Sequence, residues 1–110
     1  MAYFRGSTTP LKKSSEESGT EWVSQVGLRE RHDTLAGSVF ADKAGTVFIE
    51  QSSDGVNWDI SEELSVEASK GKVINVSLLL PYWRVRAKNT TDENQTVFRI
   101  SVTTQAGGDS

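Results

Sequence analysis

Apolar residues recur along most of the chain with a period of two. Residues 82–88 place Trp83, Val85 and Ala87 on one side and Tyr82, Arg84, Arg86 and Lys88 on the other. That alternation is the pattern of a strand with one buried face. Ile74, Val76, Leu78 and Leu80 repeat it against Asn75 and Ser77, and Phe98, Ile100 and Val102 repeat it within residues 97–104. Trp22, Val26 and Leu28 share a parity with Ser24 between them, and Leu64, Val66 and Ala68 alternate with Ser65 and Glu67. Residues 34–41 and 46–51 are compact strand-forming runs, and a short strand is expected around residues 57–60. This makes about eight strands. No ten-residue stretch carries a 3.6-residue period, so little or no helix is expected.

The turns support the same reading. Asp42 and Gly45 are spaced as the first and fourth residues of a type I turn, and Asp54-Gly55 can supply the positive φ of a tight hairpin. Trp58 follows that second turn and is read as a structural plug that helps set the sheet register. Pro81 removes a ladder donor and ends the strand before it. Strands separated by such signals predict an all-β fold, a single antiparallel β-sandwich of jelly-roll or Ig-like type.

Composition modifies this picture at the ends. The 110 residues suit one domain, but a hydrophobic content of 35% is low. Residues 1–20 are dominated by Ser, Thr, Lys, Glu and Gly. They are expected to form an extended N-terminal arm, with Tyr3, Phe4 and Leu11 as anchors on a partner. Residues 21–105 form the sandwich and residues 106–110 a short tail. A net charge of -3 and a pI near 5.1, with no Lys/Arg cluster, argue against nucleic-acid binding. The absence of cysteine excludes disulfides and thiolate metal sites. No run approaches the roughly 20 apolar residues of a membrane span, and no basic segment followed by an apolar stretch signals secretion. Sequons at Asn75, Asn89 and Asn94 are read as chance in a Thr- and Asn-rich chain.

Candidate chemistry is sparse. His32 is the single histidine, and the pairs Glu16-Glu17 and Glu62-Glu63 would point to opposite faces of a strand. Asp54, Asn57 and Asp59 group three oxygen-bearing side chains, but without the spacing of an EF-hand loop; Asp54 is read as capping its own turn. Arg84, Arg86 and Lys88, joined by Arg99 if it lies on a neighbouring strand, form the most basic surface available. Pairing of that row with Glu50, Glu62 or Glu67 is expected to neutralise most of it. No residue is assigned to catalysis, to a cofactor or to a metal.

The segment Val39-Phe40-Ala41-Asp42, Gly45 to Ser52, Ser53-Asp54-Gly55 and Trp58-Asp59, followed by Pro81 to Arg86, Asn89 and Phe98-Arg99-Ile100, resembles a β-sandwich domain of tailed-bacteriophage and prophage virion proteins. The likeness spans residues 22–104. The corner Arg29-Glu30-Arg31-His32-Asp33 departs from it, being charged where a Gly- and Ser-rich stretch is expected. The resemblance implies a non-enzymatic virion structural protein. The role expected is capsid-surface, decoration or minor head protein, present in many copies and contacting capsid or tail subunits through the arm. It would be made in the bacterial host cytoplasm. The alternative it leaves is a tail- or fibre-associated module that binds a host glycan.

Overall fold

The computed structural model describes residues 4–105. Nine strands and no helix are present among them: β1 (Phe4–Ser7), β2 (Glu21–Val23), β3 (Gly27–Leu28), β4 (Thr34–Ala41), β5 (Gly45–Ser52), β6 (Ile60–Val66), β7 (Lys72–Ser77), β8 (Tyr82–Asn89) and β9 (Phe98–Gln105). They form two antiparallel sheets packed as a sandwich. The first is ordered β1-β9-β4-β7 and the second β2-β8-β5-β6, with β3 also on β8. Of the connections between successive strands in different positions, only β5–β6 is a hairpin within one sheet. The short links 42–44 and 78–81 therefore carry the chain between layers.

The core follows the predicted parity. Trp83, Val85 and Ala87 of β8, Ile74 and Val76 of β7, and Phe98, Ile100 and Val102 of β9 all face it and are buried. Leu35, Val39, Val47 and Ile49 complete the contact between the layers. Each such side chain, taken fully from water, contributes about 1.5–3 kcal/mol. The edge strand β6 carries Glu62 on the core-facing parity opposite Ile49, and Glu62 is exposed. An inward charge on an open edge discourages another strand from adding there.

The first twenty residues depart most from expectation. β1 pairs with β9 in the register Phe4 with Thr103 to Ser7 with Ile100, and Leu11 is 5% exposed within the core. The segment expected as a free arm is thus part of the sandwich from Phe4 onward. The physical reason lies in polar side chains that periodicity does not register. Leu11 N–H donates to Gln95 Oε1 at 2.9 Å, and Gln95 N–H donates to the Leu11 carbonyl at 2.9 Å. Lys13 N–H donates to Asn94 Oδ1, and the Ser15 hydroxyl to Asp92. Residues 1–3, including Tyr3, and the tail 106–110 lie outside the described residues.

Two other strand expectations change. The run 22–28 is interrupted: Val23 pairs with Arg86 and Gly27 with Trp83, four steps on one strand against three on the other. Ser24 fills the irregularity, its N–H donating to the Val85 carbonyl while its hydroxyl accepts from Val85 N–H at 2.9 Å. The extra residue reverses the parity beyond it, so Ser24 is buried while Val26 and Leu28 are exposed. Gly27 then lies flat on the indole of Trp83; a Cβ there would stand 2.3 Å from ring atoms. The strands expected at 57–60 and 64–68 are instead the single β6.

Candidate interaction surfaces

The residues picked out around Asp42 and Asp54 prove to be structural, each in its own way. Asp42 and Gly45 are not joined by a backbone hydrogen bond. Its carboxylate accepts from the Thr96 hydroxyl at 2.7 Å and from the N–H groups of Thr96 and Val97, anchoring the loop 90–97. The Thr96 hydroxyl, aided by these backbone donors, holds the carboxyl below its ordinary range. Gly45 opens β5 opposite Asn89. Asp54 does cap its turn, accepting from Asn57 N–H, Val56 N–H and the Asn57 side chain at 2.7–2.8 Å. These donors, the Asn57 N–H foremost, drive its carboxyl well below the usual carboxylate range. Gly55 takes φ of 80°, the left-handed conformation its position needs.

Trp58 is no core plug. It lies on the outer face of the second sheet, its ring centroid 4.5 Å from the Arg84 guanidinium. Glu50, buried although on that outer face, takes a 2.6 Å bond from Arg84 Nε and has Arg86 Nε 3.2 Å away. The second contact is close enough to pair the charges but not aligned as a hydrogen bond. Arg86 also donates to Glu21 at 2.7 Å and lies over Phe48. The expected neutralisation of this row by Glu50 is present, with Glu21 as a further partner. Glu62 and Glu67 take no part in it.

Arg99 stands apart from that row. It lies on β9, in the other sheet, stacked 4.7 Å from the Phe40 ring centroid with no carboxylate in pairing distance among the described residues. Register sets Gly6, Ser101, Ser38 and Val73 side by side across this outer face, and Phe4, Thr103, Ala36 and Asn75 in the next row. A groove of about 500 Å³ runs between Phe4 and Phe40 over the small residues Gly6, Ser38 and Ser101. Phe4, expected as a partner anchor on an extended arm, is 64% exposed and forms one wall. Leu11, expected in the same role, is unavailable in the core.

Sequence reasoning missed the buried amides. Asn89 is fully buried; its Nδ2 donates to the carbonyls of Glu93 at 2.8 Å and Lys12 at 3.1 Å, and its Oδ1 accepts from Thr91 N–H and hydroxyl. Gln51 donates to the Ser77 carbonyl and accepts from the N–H groups of Leu79 and Leu80. Both continue the inward parity of their strands, which is the signal that could have found them. The loop 89–95 spends much of its hydrogen-bonding capacity on residues 11–15. His32 Nδ1 lies 2.8 Å from the Thr104 hydroxyl. Among the described residues no cluster of three His, Cys, Asp or Glu side chains could hold a metal ion, and no helix is long and apolar enough to cross a membrane.

The two ends of the sandwich differ. At one end lie the links 8–20, 42–44, 67–71 and 90–97, which are strongly polar. At the other lie 29–33, 53–59 and 78–81, together with the start of β1 and the end of β9. There Leu79 and Val56 are each 75% exposed, with Ile60 and Leu28 also exposed. The charged corner 29–33 borders them.

Residues 2–105 match the family described as the N-terminal domain of the uncharacterised protein YqxG, and the chain belongs to that family. No curated protein matches the sequence. Among solved structures, the crystal structure of the PBSX exported protein XepA shares the fold, with a TM-score of 0.81 and 23% identity over the whole of this chain. The chain spans 38% of the XepA chain.

Proposed function

We propose that this member of the YqxG N-terminal domain family is a non-enzymatic structural module of a phage particle, present in several copies, and seated on its neighbours by the apolar end of the sandwich. The observation that carries this reading is the concentration of exposed Leu28, Val56, Ile60 and Leu79 at the end where β1 begins and β9 finishes. Apolar side chains bordered by a charged rim suit a protein interface. Both the start of β1 and the end of β9 lie at this same end.

The likeness to XepA, an exported protein of the phage PBSX, supports a phage setting, as does the resemblance to virion sandwich domains. The titratable groups support a role without catalysis. Glu50 is held in ion pairs, Asp42 and Asp54 in backbone caps, and His32 against Thr104. The place we assign is the capsid surface or a minor head position, with other virion subunits as partners. Docking then falls to the end of the folded domain and not to an arm.

The test is to purify particles of the phage that encodes the chain and measure its copy number by quantitative mass spectrometry. The same is then done for Leu79→Ser combined with Val56→Ser. A fixed copy number that collapses in the variant is expected. Recovery of the chain only as free protein in the medium would remove the particle role. Undiminished association of the variant would remove the apolar end as the docking surface.

A further inference from the structure

We propose that the groove between Phe4 and Phe40 on the outer face of the first sheet binds an anionic saccharide, with Arg99 taking its charged group. The inference goes beyond the structural role and concerns the outer face of the first sheet, which meets the apolar end at Phe4.

Three features converge on this chemistry. Arg99 is held on the Phe40 ring and has no carboxylate partner among the described residues, whereas Arg84 and Arg86 on the opposite sheet are neutralised by Glu50 and Glu21. A planar guanidinium fixed in this way is prepared to take a carboxylate or phosphate through two parallel hydrogen bonds. The groove floor is small and hydroxylated, with Ser38 and Ser101 beside Gly6, and Ser7 and Thr8 at the β1 side. Hydroxyls both donate and accept, as the hydroxyls of a sugar do. The walls include two phenyl rings, one of them 64% exposed, which add apolar surface for a sugar ring. The volume of about 500 Å³ lies within the range of small-ligand sites.

The same geometry disfavours an extended peptide. β9 and β4 under the groove are each paired on both sides, so strand addition is confined to the outer edge of the four-residue β1. Over the groove floor recognition falls to side chains, and those present are hydroxyls, phenyl rings and one cation.

The experiment titrates the ¹⁵N-labelled whole chain with trigalacturonate, glucose 6-phosphate and neutral maltotriose, reading amide shifts. The expected result is perturbation centred on Ser38, Arg99 and Ser101, with at least one anionic sugar binding tenfold or more tightly than maltotriose. The two anionic arms distinguish carboxylate from phosphate as the preferred charge. Arg99→Gln, at an exposed site, is expected to weaken that binding at least tenfold with unchanged thermal stability. Phe40→Ala should weaken it as well, and Phe4→Ser serves the same purpose if Phe40→Ala does not fold. Binding no tighter than maltotriose, shifts centred on the second sheet, or full affinity in Arg99→Gln would overturn the proposal. None of these outcomes depends on whether the apolar end docks on a particle.

Discussion

Replacing Asn89 by alanine tests whether the N-terminal segment belongs to the folded unit. The side chain is fully buried and makes four well-placed hydrogen bonds: to the Glu93 and Lys12 carbonyls, and from the Thr91 N–H and hydroxyl. A typical intramolecular hydrogen bond contributes a net of roughly 0.5–1.5 kcal/mol, and a buried group left without a partner costs about 1–3 kcal/mol. The Thr91 groups lie near solvent and can recover water, whereas the Lys12 and Glu93 carbonyls are partly enclosed. The expected destabilisation is therefore about 2–4 kcal/mol. For a domain of this size that corresponds to roughly 10–20 °C in Tm. Urea denaturation should show a lower midpoint with an unchanged slope. Limited proteolysis of the variant should cut within residues 8–20, which the wild type protects. Asn89→Asp should be worse than alanine, because it keeps the acceptor, loses both donations and sets a carboxylate against carbonyl oxygens. A loss below about 1 kcal/mol for Asn89→Ala would refute the idea that this amide ties the two segments together.

Five further outcomes follow from the same structure. Leu11→Ala should cost about 2–4 kcal/mol by chemical denaturation, and deletion of residues 2–20 should leave a chain that no longer melts cooperatively. Gly27→Ala drives a methyl into the Trp83 indole and should cost about 1–3 kcal/mol, with a changed near-ultraviolet tryptophan signal. Glu50→Gln leaves Arg84 and Arg86 facing each other without their shared carboxylate; the expected loss is about 2–3 kcal/mol, below the full penalty of a buried pair because both arginines remain partly exposed. For Asp54 the folded pKa is depressed, so its contribution is complete above the ordinary carboxylate range and is lost as pH falls through the folded value. The Tm difference between wild type and Asp54→Ala should thus be constant near neutrality and shrink below about pH 4; a difference that grew on acidification would contradict the capping role.

Much of the core was legible because strand parity is a local property. Trp83, Val85 and Ala87 could be assigned inward from seven residues of sequence, and the structure buries all three. Parity failed where a polar side chain substitutes for a ladder group. Ser24 does so between β2 and β3, and the apolar Val26 and Leu28 are turned outward as a result. It failed also where amides enter the interior. Asn89 continues the inward parity of Trp83, Val85 and Ala87, but a polar residue after a strand reads as the start of a loop. The N-terminal segment was misjudged for the same reason: its attachment rests on the β1–β9 ladder and on Asn89, Gln95 and Asn94, while its own sequence offers the core a single side chain, Leu11.

The candidate site depended on a non-local fact. Arg84, Arg86 and Arg99 can be drawn as one basic strip if β8 and β9, consecutive in the chain, are also neighbours in a sheet. They are not: β8 lies between β2 and β5, β9 between β1 and β4, and the two strands belong to opposite layers. Sheet membership then sets the fate of each charge. On β8, Arg84 and Arg86 have β5 beside them, and Glu50 stands directly across from Arg84. On β9, Arg99 is directly opposite Phe40, which supplies a ring face and no charge. An arginine held in place by an aromatic ring and left unneutralised is available to a ligand, whereas one bonded to a buried carboxylate is committed to the fold. The same residue type therefore serves stability on one face and, with no carboxylate beside it among the described residues, is the group proposed for recognition on the other; strand order separates the two.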